Sequence, residues 1–266
     1  MKKSLITLAV CASLLQACST SSVNTTAVDP TLAGIMAEAK TADARLVALT
    51  DQYIEETLPR EPINALFLGD NRFNHLWPNT LSAEFIAEGE AISSKYLTAV
   101  KQIDRASLKG QDLYTYDIFK GNLEQQLEGS AYPFELLPLN QFIFSPHNFF
   151  MQLGGGVSAQ PFNNAKDFDN FLQRADGFVI WLDQAVINMR KGIDMNVVQP
   201  RPVVESMLPQ SQAQLHEDPT QSDLFAPLNQ AKDKLSEQDY QRLHSAYTEL
   251  VDERLTPAFA RLHTFL

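Results

Sequence analysis

The sequence predicts a mainly α-helical protein, a bundle-like array of several helices with one long irregular, aromatic-rich insert. Three observations carry this prediction. Apolar residues recur at intervals of three and four over most of the chain after Pro30, as they do on one face of a helix. Segments that alternate apolar and polar residues, as β-strands do, are scarce. Residues that cap helices also stand at the ends of the periodic segments.

Apolar spacing indicates a helix or a helix pair over residues 31–58, which Pro59 and Pro62 interrupt. A loop, a short helix and a turn are predicted to follow, up to residue 79. Two further helices are predicted over residues 82–103 and 107–128, and the second of them reaches a glycine at the point where a C-terminal cap belongs.

The predicted insert covers residues 130–162, which contain seven aromatic residues, four prolines and three consecutive glycines without a clear helical period. So long an irregular segment is expected to line a binding site or to pack on the core. The next helix is predicted to start after Asn164 and to end with Gly192 as its C-terminal cap. A last long helix is predicted to start at the capping box of Ser236 and to kink at Pro257.

The first residues of the chain predict export and a lipid anchor. A short basic start precedes the apolar run LITLAVCASLL, which has the length of a signal-peptide core and is too short to span a bilayer. The next residues, Leu15-Gln16-Ala17-Cys18, resemble the lipobox of bacterial lipoproteins, which are cleaved before the cysteine and acylated on it. We therefore interpret residues 1–17 as a lipoprotein signal peptide and Cys18 as the lipidation site.

The same region predicts the location and the partners of the protein. Ser19 after the acylated cysteine is similar to signals sent to the outer membrane, so we expect an outer-membrane lipid anchor with the domain facing the periplasm. Residues 18–30 predict a flexible tether, and residues 31–266 form the helical domain. The net charge of −11 repels phosphate backbones and argues against nucleic acid as a partner. Both cysteines lie in the first eighteen residues, so the domain has no disulfide or thiolate chemistry.

The sequence contains one partial match to a catalytic motif. His216-Glu217 resembles the start of a zinc-protease helix, but that motif needs a second histidine four residues after the first, where this chain has Thr220. Pro219 also opposes an uninterrupted helix, so we predict a turn here. No two of the five histidines stand three or four residues apart, and no serine-hydrolase elbow is complete. We therefore predict no catalytic residue and no metal ligand in this chain.

A binding site is predicted from a different set of residues. Arg201 lies between two prolines in a stiff backbone, and a rigidly held guanidinium can bind the carboxylate of a peptide terminus with two hydrogen bonds. Asn140, Gln141 and His147 in the insert are the other members of this candidate site. The alternative is that Arg201 caps helix carbonyls or pairs with an acidic neighbour.

Three segments resemble the bacterial family of domain of unknown function 885. They are LPREPINALFLGDNRFNHLWPN (58–79), LPLNQFIFSPHNFF (137–150) and FDNFLQRADGFVIWLDQAVINMRKGIDMNVVQPRPVVESML (168–208). The resemblance implies a helical, zincin-like peptidase of about twice this length, with a His-Glu-x-x-x-x-His zinc motif in its second half. No residue of this chain matches that motif, so the resemblance implies zinc only for a full-length relative.

Two functional hypotheses follow. In the first, the chain is the N-terminal helical half of a lipid-anchored, metallopeptidase-like hydrolase with a peptide substrate, is cut off at Leu266 and is inactive alone. That hypothesis predicts that the last helices leave their apolar faces uncovered. In the second, the chain is a complete, non-catalytic envelope lipoprotein that binds a peptide, a glycan or a protein partner.

Overall fold

The computed structural model describes residues 27–266 and confirms the predicted helical class, with eleven α-helices and no β-strand in that range. Residues 1–26, which include the predicted signal peptide, Cys18 and most of the tether, lie outside the described residues. The helices are α1 (Pro30–Glu38), α2 (Ala42–Thr57), α3 (Pro62–Phe67), α4 (Ala83–Val100), α5 (Gln111–Gly129), α6 (Pro146–Gly154), α7 (Ala165–Met195), α8 (Arg201–Gln212), α9 (Phe225–Gln230), α10 (Glu237–Glu249) and α11 (Thr256–Phe265).

The helices enclose two hydrophobic cores. In the first core, the predicted helix pair is confirmed as α1 and α2, which pack on α4 and α5. In the second core, the long helix α7 contacts α6, α10 and α11. The buried side chains of each core recur at the three- and four-residue intervals that the sequence pattern predicts. An amphipathic helix is stable in a protein mainly because this apolar stripe is buried. Within residues 27–266, no helix is long and apolar enough to cross a bilayer.

The start of α7 is as predicted, and its end is not. The side chain of Asn164 caps the helix by accepting from the Asp167 backbone N–H at 3.2 Å. The prediction that Gly192 ends the helix is wrong, because α7 continues to Met195 and Asn196 adopts the left-handed conformation at φ 58°. Position 192 requires glycine because the chain after α7 passes close to it, and a Cβ there would lie 2.5 Å from the Val197 carbonyl oxygen.

Two of the helices that the sequence pattern did not predict begin at prolines. The insert contains α6, which starts directly at Pro146, and the proline-rich segment after α7 contains α8, which starts at Arg201 between two prolines. Proline is tolerated in the first turn of a helix because its missing N–H would have no intrahelical acceptor there. These prolines therefore start helices rather than prevent them.

The C-terminal segment contradicts one expectation. Ser236 caps α10 as predicted, and a π-helical segment, Leu250–Leu255, joins α10 to α11 just before Pro257. The expectation that the last helix leaves its apolar face uncovered is wrong, because Phe259 and Leu262 are buried and α11 packs against α7 and α8. Helices α7 and α8 cover the apolar face of α11.

The segment around His216 and Glu217 forms the predicted turn. It follows the end of α8, and Asp218 then caps a short 3-10 helix, Pro219–Gln221, by accepting from the Thr220 backbone N–H at 2.9 Å. The pair therefore lies in a connection between helices and has no helical partner for a zinc-protease motif.

Candidate functional site

A buried arginine fixes the segment that precedes α4. Arg174 of α7 has no solvent exposure, and its guanidinium donates to the carbonyl oxygens of Phe73 and Leu76, each at 3.1 Å. It also donates to Gln160 Oε1 at 2.6 Å. Burial lowers the pKa of Arg174 to about 10. The buried charge is thus held by neutral oxygen acceptors, which ties two distant parts of the chain to α7.

The same segment stays in contact with α7 for several further turns. A Cβ on Gly177 would lie 2.3 Å from the Trp77 carbonyl oxygen, so only glycine allows the two backbones to come this close. Farther along α7, the Trp181 indole N–H donates to Thr80 Oγ1 at 2.8 Å, and Asn188 donates to the Leu81 carbonyl oxygen at 3.0 Å. Trp77 and Thr80 are therefore held in fixed positions beside α7.

These fixed residues line a groove between the two cores, which we call the inter-core groove. It consists of three adjoining cavities of about 390, 240 and 420 Å³. The first two share Arg60, Glu61 and Thr80, and the first and third share Thr80, Ile86, Gln126 and Ser130. Its walls come from both cores, since Ile92 packs against the first core and Trp181 belongs to the second.

One end of the inter-core groove is rich in tryptophan and proline. The chain has two tryptophans, and both Trp77 and Trp181 line the cavity of 240 Å³. Three prolines line the same cavity: Pro62, Pro78 and Pro146. Flat, rigid side chains of this kind present apolar area at a low cost in conformational entropy, which suits them to bind extended apolar or proline-containing segments.

The charge of the inter-core groove is negative. Its one arginine, Arg60, pairs with Glu88 at 2.8 Å, donates to the Phe85 carbonyl oxygen at 2.6 Å and lies 3.8 Å over the centre of the Phe85 ring. The carboxylates of Glu61 and Glu90 are exposed at the groove. Because the cation is already paired and the carboxylates face solvent, the groove favours a ligand with a positive charge.

Comparison with known proteins decides the family. A family of bacterial proteins of unknown function, DUF885, matches residues 62–266. The chain belongs to the DUF885 family. No curated protein and no solved structure matches it.

The segments that resembled DUF885 meet at the inter-core groove. Residues 58–79 supply Trp77, residues 137–150 supply Pro146, and residues 168–208 supply Trp181 together with the buried Arg174. None of Trp77, Trp181, Arg174 and Glu61 was predicted to be a site residue from the sequence. The signal was present, since both tryptophans and the arginine of Leu172-Gln173-Arg174 lie inside those segments.

The insert residues of the predicted site form a buried network. His147 Nδ1 lies 3.0 Å from Ser145 Oγ, and its Nε2 lies 3.3 Å from Gln210 Oε1 on α8. Gln210 also donates to the Gln141 carbonyl oxygen at 2.8 Å, and the Asn140 backbone N–H donates to Ser145 Oγ at 3.1 Å. Burial lowers the pKa of His147 to about 4. The network fixes the insert (residues 130–162) against α8.

Arg201 is placed away from this network. Its side chain is 88% exposed and pairs with Glu205 at 2.7 Å, one turn farther along α8. Nine residues of helix, about 13 Å, separate Arg201 from Gln210, where His147 is bound. The structure therefore does not bring Arg201 into contact with the three insert residues.

The zinc that the resemblance implies has no set of ligands in the described part of this DUF885 chain. Among residues 27–266, no group of three histidine, cysteine, aspartate or glutamate side chains is arranged to hold a metal ion. The described side chains that line the inter-core groove also include no histidine, cysteine or lysine. The groove has the aromatic, proline and carboxylate side chains of a binding surface.

Proposed function

We propose that this DUF885 protein is a lipid-anchored envelope protein whose helical domain binds an extended peptide in the inter-core groove. The observation that carries the proposal is the pairing of both tryptophans of the chain with three prolines beside the carboxylate of Glu61. The rigid aromatic and proline side chains would contact apolar residues of the peptide. Glu61 would attract an amino terminus or a lysine or arginine side chain.

The family resemblance extends this proposal. In the extended form, the chain is the helical half of a metallopeptidase-like hydrolase, and the inter-core groove is a wall of its substrate cleft. The metal ligands of such an enzyme would come from residues other than 27–266. In the alternative form, the protein is a non-catalytic envelope lipoprotein, and binding is its whole function. Zinc analysis of the purified chain, together with a peptide-cleavage assay, distinguishes the two forms.

The binding claim is tested by calorimetry with a blocked seven-residue peptide that contains proline, leucine and one lysine. We expect this peptide to bind more tightly than the same peptide with glutamate in place of lysine. Glu61→Gln is expected to remove most of the preference, whereas Glu217→Gln, in the exposed turn after α8, retains it. Equal binding of both peptides by the unmodified chain would refute the proposed role of Glu61.

The anchor is tested by expressing the full gene in a diderm bacterium with labelled palmitate. We expect label on the mature chain, cleavage before Cys18 and recovery in the outer-membrane fraction. Cys18→Ser is expected to abolish the label and to leave the signal segment uncleaved at this position. Unchanged fractionation of the Cys18→Ser variant would contradict the proposed anchor.

A further inference from the structure

We infer that the exposed aromatic tip at residues 142–144 inserts into the lipid surface to which the protein is anchored. The inference rests on the proposed lipid anchor for the closeness of the domain to a membrane. It goes beyond that anchor, because it assigns a second contact with lipid to a specific part of the folded domain.

The tip belongs to an apolar surface formed by two segments. Five of its side chains are between 60% and 78% exposed: Phe67, Leu68, Phe142, Ile143 and Phe144. Phe149 joins the two segments, since its ring centre lies 6.3 Å from those of Phe67 and Phe144. Large apolar side chains grouped in this way on a folded surface indicate an interaction site rather than chance exposure.

The two segments that form the apolar surface carry no charged side chain. Residues 62–69 and residues 136–165, which supply the whole apolar surface, contain no Asp, Glu, Lys or Arg, although charged residues make up 20% of the chain. The net charge of −11 elsewhere repels an anionic surface, so the acidic body can approach lipid closely only through an uncharged part. The distribution of charge thus fits a bilayer interface, where a buried charge is costly.

Three of the six backbone N–H and C=O groups of the tip are hydrogen-bonded to side chains. The Phe142 N–H donates to Asn140 Oδ1 at 2.9 Å, and the Phe142 carbonyl oxygen accepts from Asn148 Nδ2 at 3.1 Å. The Ile143 carbonyl oxygen accepts from Gln152 Nε2 at 2.7 Å. Side chains on both sides of the tip thus satisfy half of its backbone polar groups, which lowers the cost of moving the tip into lipid.

The length of the preceding chain allows the tip and the anchor to reach one membrane. Pro30 starts the first helix, and the segment from Cys18 to Pro30 spans up to about 40 Å when extended. A segment of that length would let the domain change its orientation relative to the anchor.

The experiment uses the mature, acylated protein reconstituted in phosphatidylcholine vesicles. The domain has no cysteine of its own, so Phe144→Cys introduces a single thiol for an environment-sensitive fluorophore. The matched control is Val198→Cys, an exposed apolar position after α7. We expect a blue-shifted emission at position 144 and several-fold stronger quenching by nitroxide-labelled lipid there than at position 198.

Flotation of the vesicles separates the failure of the anchor from the failure of the tip. A protein that floats while the two labels are quenched equally would overturn the inference and leave the anchor intact. A protein that does not float would refute the anchor. In that case, stronger quenching at position 144 than at position 198 by added vesicles would support contact of the tip with lipid, and equal quenching would overturn it. Self-association that shifts the label without vesicles would assign the tip to a second copy of the chain and overturn the inference.

Discussion

Two glycines in the middle of helices are expected to respond in opposite directions to substitution by alanine. At Gly177, the new Cβ would lie 2.3 Å from the Trp77 carbonyl oxygen. Trp77 directly follows Leu76, whose carbonyl oxygen is bound by Arg174, so this backbone cannot move away cheaply. Overpacking of this kind costs about 1–3 kcal/mol, which exceeds the gain of roughly 0.5–1 kcal/mol from replacing a helical glycine. We therefore expect Gly177→Ala to lower the free energy of unfolding by about 1–2 kcal/mol.

Gly121 on α5 is the matched control. It is exposed, and a Cβ there would meet nothing within 4 Å, so Gly121→Ala should stabilise the fold by about 0.5–1 kcal/mol. Urea denaturation followed by circular dichroism measures both values. Gly177→Ala should also alter the emission of Trp77, which Gly121→Ala leaves unchanged. Stabilisation by both substitutions would refute the close contact between α7 and the segment before α4.

The remaining predictions concern the two buried polar networks. Arg174→Met leaves the carbonyl oxygens of Phe73 and Leu76 without this donor, so we expect the free energy of unfolding, measured by urea denaturation, to fall by about 3 kcal/mol. Arg201 is exposed, and Arg201→Met should change the free energy of unfolding by less than about 0.5 kcal/mol. An equal effect of the two would show that the buried contacts are not formed. Burial holds the pKa of His147 at about 4 in the folded protein, below its ordinary value of 6.5. The unfolded chain therefore binds the proton more strongly, and the free energy of unfolding falls as the pH drops below 6.5. Between pH 7.5 and 5.5 this loss amounts to about 1.3 kcal/mol, and His147→Asn should reduce the pH dependence by that amount. An unchanged pH dependence in that variant would contradict the burial of the neutral imidazole.

The helical class and most helix positions could be predicted because they depend on local spacing. The pattern of apolar residues and the caps at Asn164 and Ser236 are properties of one segment at a time. Helices α6 and α8 were not predicted, because proline breaks a helix in its interior but is tolerated in its first turn. The end of α7 was wrongly predicted at Gly192, because glycine is favoured both at a left-handed cap and where two backbones pack closely.

The inter-core groove could not be predicted in the same way, because its walls lie far apart in the sequence. Trp77 and Trp181 come together through the contacts of Gly177 and Arg174, which have no local pattern. The insert histidine was selected for its chemistry, and the structure places it in a buried network. The choice between a binding residue and a packing residue depends on burial, which a single sequence does not specify.

The central claim is that a peptide occupies the inter-core groove, and tryptophan emission tests it most directly. The chain has two tryptophans, and both line the groove, so its intrinsic fluorescence arises from this site. On titration with the lysine-containing peptide, we expect a saturable change in emission that matches the calorimetric affinity and decreases strongly in Trp77→Phe. Calorimetric binding of the peptide without any change in emission would place the peptide elsewhere and contradict this account.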